Sequence, residues 1–220
     1  RLGNYVEAEA LTRSTLNMYR QRYGEAHPDT MSCTANLACD LLALSLTDPA
    51  RGVEAVERGR QNFVAYRERL GPEHPFSLAA ATNLVAILRS RGLTEEAMEL
   101  ADETLPRLVE RLGDSHPATL ACRANRAGVL AALRRYEEAL AEDEETREAY
   151  RDLYRDHHPR VLCAEYNVAL DRTLMGDDNA EQNLRRATFE AEQEFGPDHP
   201  MIQVMNDRKR IDFDLEMPPT

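Results

Sequence analysis

The chain is predicted to be an all-α solenoid of antiparallel helix pairs, and three markers in phase predict it. His-Pro recurs at His27-Pro28, His74-Pro75, His116-Pro117, His158-Pro159 and His199-Pro200, at intervals of 47, 42, 42 and 41 residues. Nineteen residues before each histidine stands an alanine: Ala8, Ala55, Ala97, Ala139 and Ala180. Nine residues after the first four stands an asparagine: Asn36, Asn83, Asn125 and Asn167. Such a beat defines an internal repeat, and repeats of this length stack into one-dimensional arrays.

Each unit divides into two helices. Proline after the histidine suits a first helical turn, where a missing N–H costs nothing. The second helix holds the marker alanine and ends at Gly24, Gly71, Gly113 or Gly196, with Arg155 in the remaining copy. Glycine there fits a left-handed C-terminal cap. Apolar residues just before it (Tyr23, Leu70, Leu112, Tyr154, Phe195) are expected to plug the gap beneath the next pair.

In order, 1–26 is a partial unit, a second helix without its partner, expected to expose Leu11, Leu16 or Tyr19. Full units follow at 27–73, 74–115, 116–157 and 158–198. The 47-residue interval places about five extra residues in the turn near Ser45–Arg51. A capping helix follows at 199–211, running to about Ile211 with Arg208 in the asparagine position, and 212–220 is an extended tail.

Composition removes several function classes. The 220 residues are 42% hydrophobic and 30% charged with a net charge of −12, ample for a helical core and repulsive to phosphate. Lys209 is the only lysine and lies between arginines, so neither a phosphate-binding loop nor a Schiff-base lysine is available. Cys33, Cys39, Cys122 and Cys163 lack zinc-site spacing and read as buried thiols of a reducing cytoplasm. Five of the six histidines are repeat markers about 10 Å apart in a stack, too far to share a metal. The sequence therefore predicts no catalytic residues, metal or cofactor, and neither nucleic-acid nor membrane binding. The chain begins with Arg1, so further sequence is expected upstream.

These features resemble the tetratricopeptide repeat in its long, kinesin-light-chain-like form of about 42 residues. The resemblance rests on His116-Pro117-Ala118-Thr119-Leu120, Asn36-Leu37-Ala38, Gly3-Asn4-Tyr5-Val6-Glu7-Ala8 and Tyr136-Glu137-Glu138-Ala139. It implies a right-handed superhelix whose first helices line a concave surface. The ending Asp-Phe-Asp-Leu-Glu-Met-Pro-Pro also loosely resembles that of actinobacterial repeat proteins with an N-terminal signalling NTPase.

On that concave surface the resemblance puts Asn36, Asn83, Asn125 and Asn167 in a row, among small neighbours such as Ala79, Ala86, Ala121 and Gly128. A carboxamide has an acceptor and two donors, so each can pair with the N–H and C=O of an extended peptide. At a helix spacing of about 10 Å the four would span about nine extended residues. Equally, each asparagine could bond a neighbouring helix and fix the superhelix. Arg89, Arg123 and Arg126 make the first helices net positive, while the second helices carry the acid, so a neutral or acidic protein segment is the better match. The sequence thus reads as a non-catalytic protein- or peptide-binding scaffold, and as the partner-sensing region of a larger bacterial signalling protein. The alternative is a structural module for self-association, through the N-terminal end, or for intramolecular regulation.

Overall fold

The computed structural model describes residues 4–45 and 48–215. Among these are ten helices and no strand: α1 (Tyr5–Tyr23), α2 (Pro28–Leu44), α3 (Pro49–Leu70), α4 (Pro75–Ser90), α5 (Thr94–Leu112), α6 (Pro117–Ala132), α7 (Tyr136–Leu153), α8 (Pro159–Leu174), α9 (Ala180–Phe195) and α10 (Pro200–Asn206). Each helix packs on the next, and α4 also touches both α2 and α6. The even-numbered helices form the inner layer: α4 buries twelve of its 16 residues, from Ser77 to Leu88 without a break. The odd helices form the outer layer and are amphipathic; α5 buries only Ala97, Met98, Ala101, Thr104 and Leu108.

One device starts every even helix. The Nδ1 of His27, His74, His116, His158 and His199 accepts the N–H two residues on, at 3.1–3.3 Å, and proline occupies the first turn. An accepting Nδ1 puts the ring proton on Nε2. The residue expected to plug the gap does something more specific in three copies. Tyr23, Tyr154 and Phe195 stack on their histidines, at centroid distances of 4.6, 3.9 and 5.1 Å. Tyr23 and Leu70 remain exposed.

Odd helices stop at glycines with φ of 81–90°. Nothing lies within 4 Å of where a Cβ would stand on Gly24, Gly71, Gly113 or Gly196, so backbone conformation alone selects glycine. Where Arg155 replaces it, α7 stops one residue earlier and Tyr154 is extended, at φ −128°. Even helices from α4 onward end in a second repeated motif. Gly92, Arg134, Gly176 and Arg208 all have positive φ, and the next N–H returns to a carbonyl five residues back, as in Leu93 to Leu88 and Arg135 to Leu130.

Ala55, Ala97, Ala139 and Ala180 are fully buried, as close helix crossings require. Of the residues expected to be exposed on α1, Leu11 is exposed and Tyr19 half-buried, while Leu16 is buried against Cys33, Leu37 and Leu41. Two other expectations are corrected. The extra residues of the second unit do not all lie in its turn: α3 begins at Pro49, six residues before its marker alanine, where α5 and α7 begin three before theirs. Leu46 and Thr47 fall outside the described residues. The capping helix stops at Asn206, because Arg208 turns into the left-handed conformation and the Lys209 N–H caps the Val204 carbonyl. This early stop releases the following residues into the groove.

Candidate functional site

Residues 211–215 run extended along the inner layer, from α8 to α4, against the order of the repeats. Successive side chains of an extended chain alternate in direction. Ile211 and Phe213 are accordingly buried, and Leu215 packs against both the core around α8 and the cluster of Met31, Ala35, Tyr66 and Phe76. Phe213 lies on the Tyr150 ring, with centroids 5.6 Å apart and planes 18° apart.

Three asparagines hold the backbone of those alternate residues. Asn167 Nδ2 donates to the Ile211 carbonyl at 2.9 Å and its Oδ1 accepts the Ile211 N–H at 3.0 Å. Asn125 does the same for Phe213, at 2.9 and 2.8 Å. Asn83 does so for Leu215, at 2.8 and 2.7 Å. Each carboxamide spends a donor and its acceptor on one residue, so backbone is held without regard to side chain. Asn125 also donates to the Thr82 carbonyl of α4, at 3.3 Å, so at this position it bonds a neighbouring helix as well. Asn36 occupies the same place on α2 and is half-buried.

The register is tighter than the one the sequence led us to expect. Consecutive asparagines take residues two apart, or about 6.6 Å of extended chain, so three of them engage five residues.

The arginines divide. Arg89 grips Asp212: its Nη2 donates to both carboxylate oxygens, at 2.7 and 2.8 Å, and its Nε to one of them at 3.1 Å. Arg123 and Arg126 instead pair with carboxylates of the array: Arg123 with Asp114, and Arg126 with Asp102 and Glu142. Arg160, not expected in this role, donates to the Asp214 carbonyl at 3.2 Å.

The groove is also less uniformly basic than its helix charges imply. Arg210 enters a pocket formed by Asp143 of α7 and Asp171 of α8, and its side chain is 6% exposed against 2% and 0% for theirs. Burial pushes the Asp171 carboxyl above its ordinary range and draws Arg210 below its own. The sequence held one signal for this pocket. Asp143 stands four residues after its marker alanine, where other units have Gly59, Ala101 and Leu184.

His158 commits Nδ1 to its helix cap, and burial pushes Cys122 and Cys163 up to about 12. All four cysteines are buried and unbridged. Among the described residues no three His, Cys, Asp or Glu side chains gather as metal ligands, and no helix is long and apolar enough to cross a membrane.

The fold and groove define the class: an all-α repeat solenoid of the scaffold type, with an extended segment along its inner face. Family models of the tetratricopeptide repeat match residues 77–152 and 1–29. Over those spans the chain carries tetratricopeptide repeats, and its fold is kinesin-light-chain-like. It is similar to two crystal structures of putative kinesin light chain nearly identical TPR-like repeats from Podosopora anserina, each 22% identical. One match covers 87% of this chain and 88% of that one at a TM-score of 0.62, the other 87% and 89% at 0.59. It is also similar to BtubC (BKLC) from P. vanneervenii, 18% identical over 88% of this chain and 76% of that one, with a TM-score of 0.63. At these identities the likeness is one of fold. No curated protein matches the chain.

Proposed function

We propose that the chain is a non-catalytic scaffold whose asparagine ladder takes an extended protein segment, and that its own C-terminal tail occupies this groove until a partner displaces it. The observation that carries the reading is the repeated two-bond clamp on Ile211, Phe213 and Leu215. A partner offering a backbone of the same spacing would be held in the same way. Tail and groove share a molecule, so the tail competes at an effective concentration of the order of millimolar. The loose resemblance of the tail supports a place for the array in a larger bacterial signalling protein, as its partner-sensing region.

The test uses two full-length proteins, wild type and Phe213→Asp, and a labelled peptide with the sequence of residues 208–220. Phe213→Asp puts a charge against Tyr150 and disables the tail without altering the ladder. The peptide should bind the variant at least about tenfold more tightly than the wild type, whose groove is filled. A folded variant that fails to bind it would contradict the reading.

One observation favours a second reading, self-association through the N-terminal end. Val6, Leu11 and Met18 of α1 are 68%, 70% and 59% exposed. Apolar surface of this kind seeks cover. Sedimentation at rising concentration should reveal a dimer that Leu11→Glu abolishes; a monomer throughout would remove this reading.

A further inference from the structure

Three features of the occupied groove are not part of the asparagine ladder. The first is the socket around Arg210. Its carboxylates come from different helices, Asp143 from α7 and Asp171 from α8, and one guanidinium touches both. The second is the route into the socket. A Cβ on Gly128 of α6 would stand 3.2–3.4 Å from atoms of Arg89 and Arg210, so glycine lets both side chains cross that helix. The third is the opposite charge two residues on, where Asp212 meets Arg89.

Asparagine clamps alone cannot fix register, because a segment shifted by two residues would make the same backbone bonds. The socket can. A buried pair of carboxylates without a cation between them is strongly unfavourable, so the segment must sit where it delivers one. A guanidinium suits this task better than an ammonium: its planar fork reaches two carboxylates at once and is more weakly hydrated.

Resting on the groove reading above, we propose that Asp143 and Asp171 form a guanidinium socket that selects what the groove accepts. The partner it fits is an extended protein segment of the pattern arginine, apolar, acidic, apolar, any residue, apolar, as in Arg210-Ile211-Asp212-Phe213-Asp214-Leu215. Arginine locks the register in the socket, the acidic residue meets Arg89, and the second apolar residue lies on Tyr150. Segments lacking the arginine are refused however apolar they are.

The test measures three peptides of residues 208–220 against full-length Phe213→Asp protein: the native sequence, Arg210→Lys, and a form with citrulline in place of Arg210. Citrulline keeps the shape and removes the charge. The native peptide should bind roughly a hundredfold more tightly than the citrulline form, with the lysine form between them. In protein that also carries Asp143→Asn and Asp171→Asn the native and citrulline peptides should bind alike. Equal binding of all three to the intact socket overturns the socket and leaves the groove reading standing. No binding by any of them overturns both. Should Phe213→Asp not give a cooperative melt, full-length Arg210→Lys decides through amide exchange at Ile211 and Phe213. Faster exchange than in wild type supports the socket, and unchanged exchange overturns it.

Discussion

At the scale of single residues, one carboxamide does two jobs and one imidazole does a third. Asn125 holds Phe213 by two bonds and α4 by a third, so Asn125→Ala should destabilise the docked tail by about 1–3 kcal/mol through unpaired buried amide groups. Differential scanning calorimetry and exchange at the Phe213 amide measure the two parts. His158 caps α8 only while Nδ1 is unprotonated. Its pKa lies below the usual value, through burial first and then Arg160, so folding favours the neutral ring. The cap's contribution is therefore present above about pH 6.5 and is lost as pH falls through the lower folded value. His158→Asn provides a cap that does not titrate in this range. Between pH 7.5 and 5 the wild type should lose more melting temperature than this variant; equal losses would refute the assignment. Residue identity was legible where the repeat marks it: the positions of the asparagines, the histidines and the buried alanines all follow from the beat. Arg160 and the Asp143–Asp171 socket were not, because neither pocket carboxylate belongs to a motif that recurs in every unit.

Among the elements, the two helix ends behave differently towards substitution. The turns after α4, α6, α8 and α10 hold a left-handed residue, Gly92 and Gly176 in two of them but Arg134 and Arg208 in the others. A side chain in that conformation costs roughly 1–2 kcal/mol, partly offset by the greater freedom of an unfolded glycine. Arg134→Gly should therefore raise the melting temperature by a few degrees, and a fall would show that the Arg134 side chain matters more than its backbone. At the crossing of α5 with its neighbours, Ala97 is fully buried while Glu96 is exposed and paired with Arg60. Ala97→Leu should cost about 1–3 kcal/mol by overpacking, and Glu96→Leu no more than the weak exposed pair it removes. Equal effects in urea unfolding would mean the crossing has room. Helix number and order were legible because proline, glycine and apolar spacing act locally. The end of α10 was less so: a left-handed arginine, unlike glycine, leaves no mark in a sequence.

For the whole molecule, the tail acts as a seam. It joins the core around α8 to the cluster around α2 and α4, through pairs separated by 44 to 132 positions in the chain. Pairing at such range has no local signature. The ladder could be read from the sequence, but its occupant could not, although the alternating apolar residues Ile211, Phe213 and Leu215 fit an extended chain with one buried face. The central claim is that asparagine side chains, rather than apolar contact alone, hold that chain. It is tested most directly by amide hydrogen exchange in full-length wild type and in Asn83→Ala/Asn125→Ala. The account predicts that exchange at Phe213 and Leu215 accelerates by tenfold or more, about 1.4 kcal/mol or above, while amides in the middle of α6 and the cooperative melt are retained. Phe213 and Leu215 amides that exchange equally fast in both proteins would contradict it.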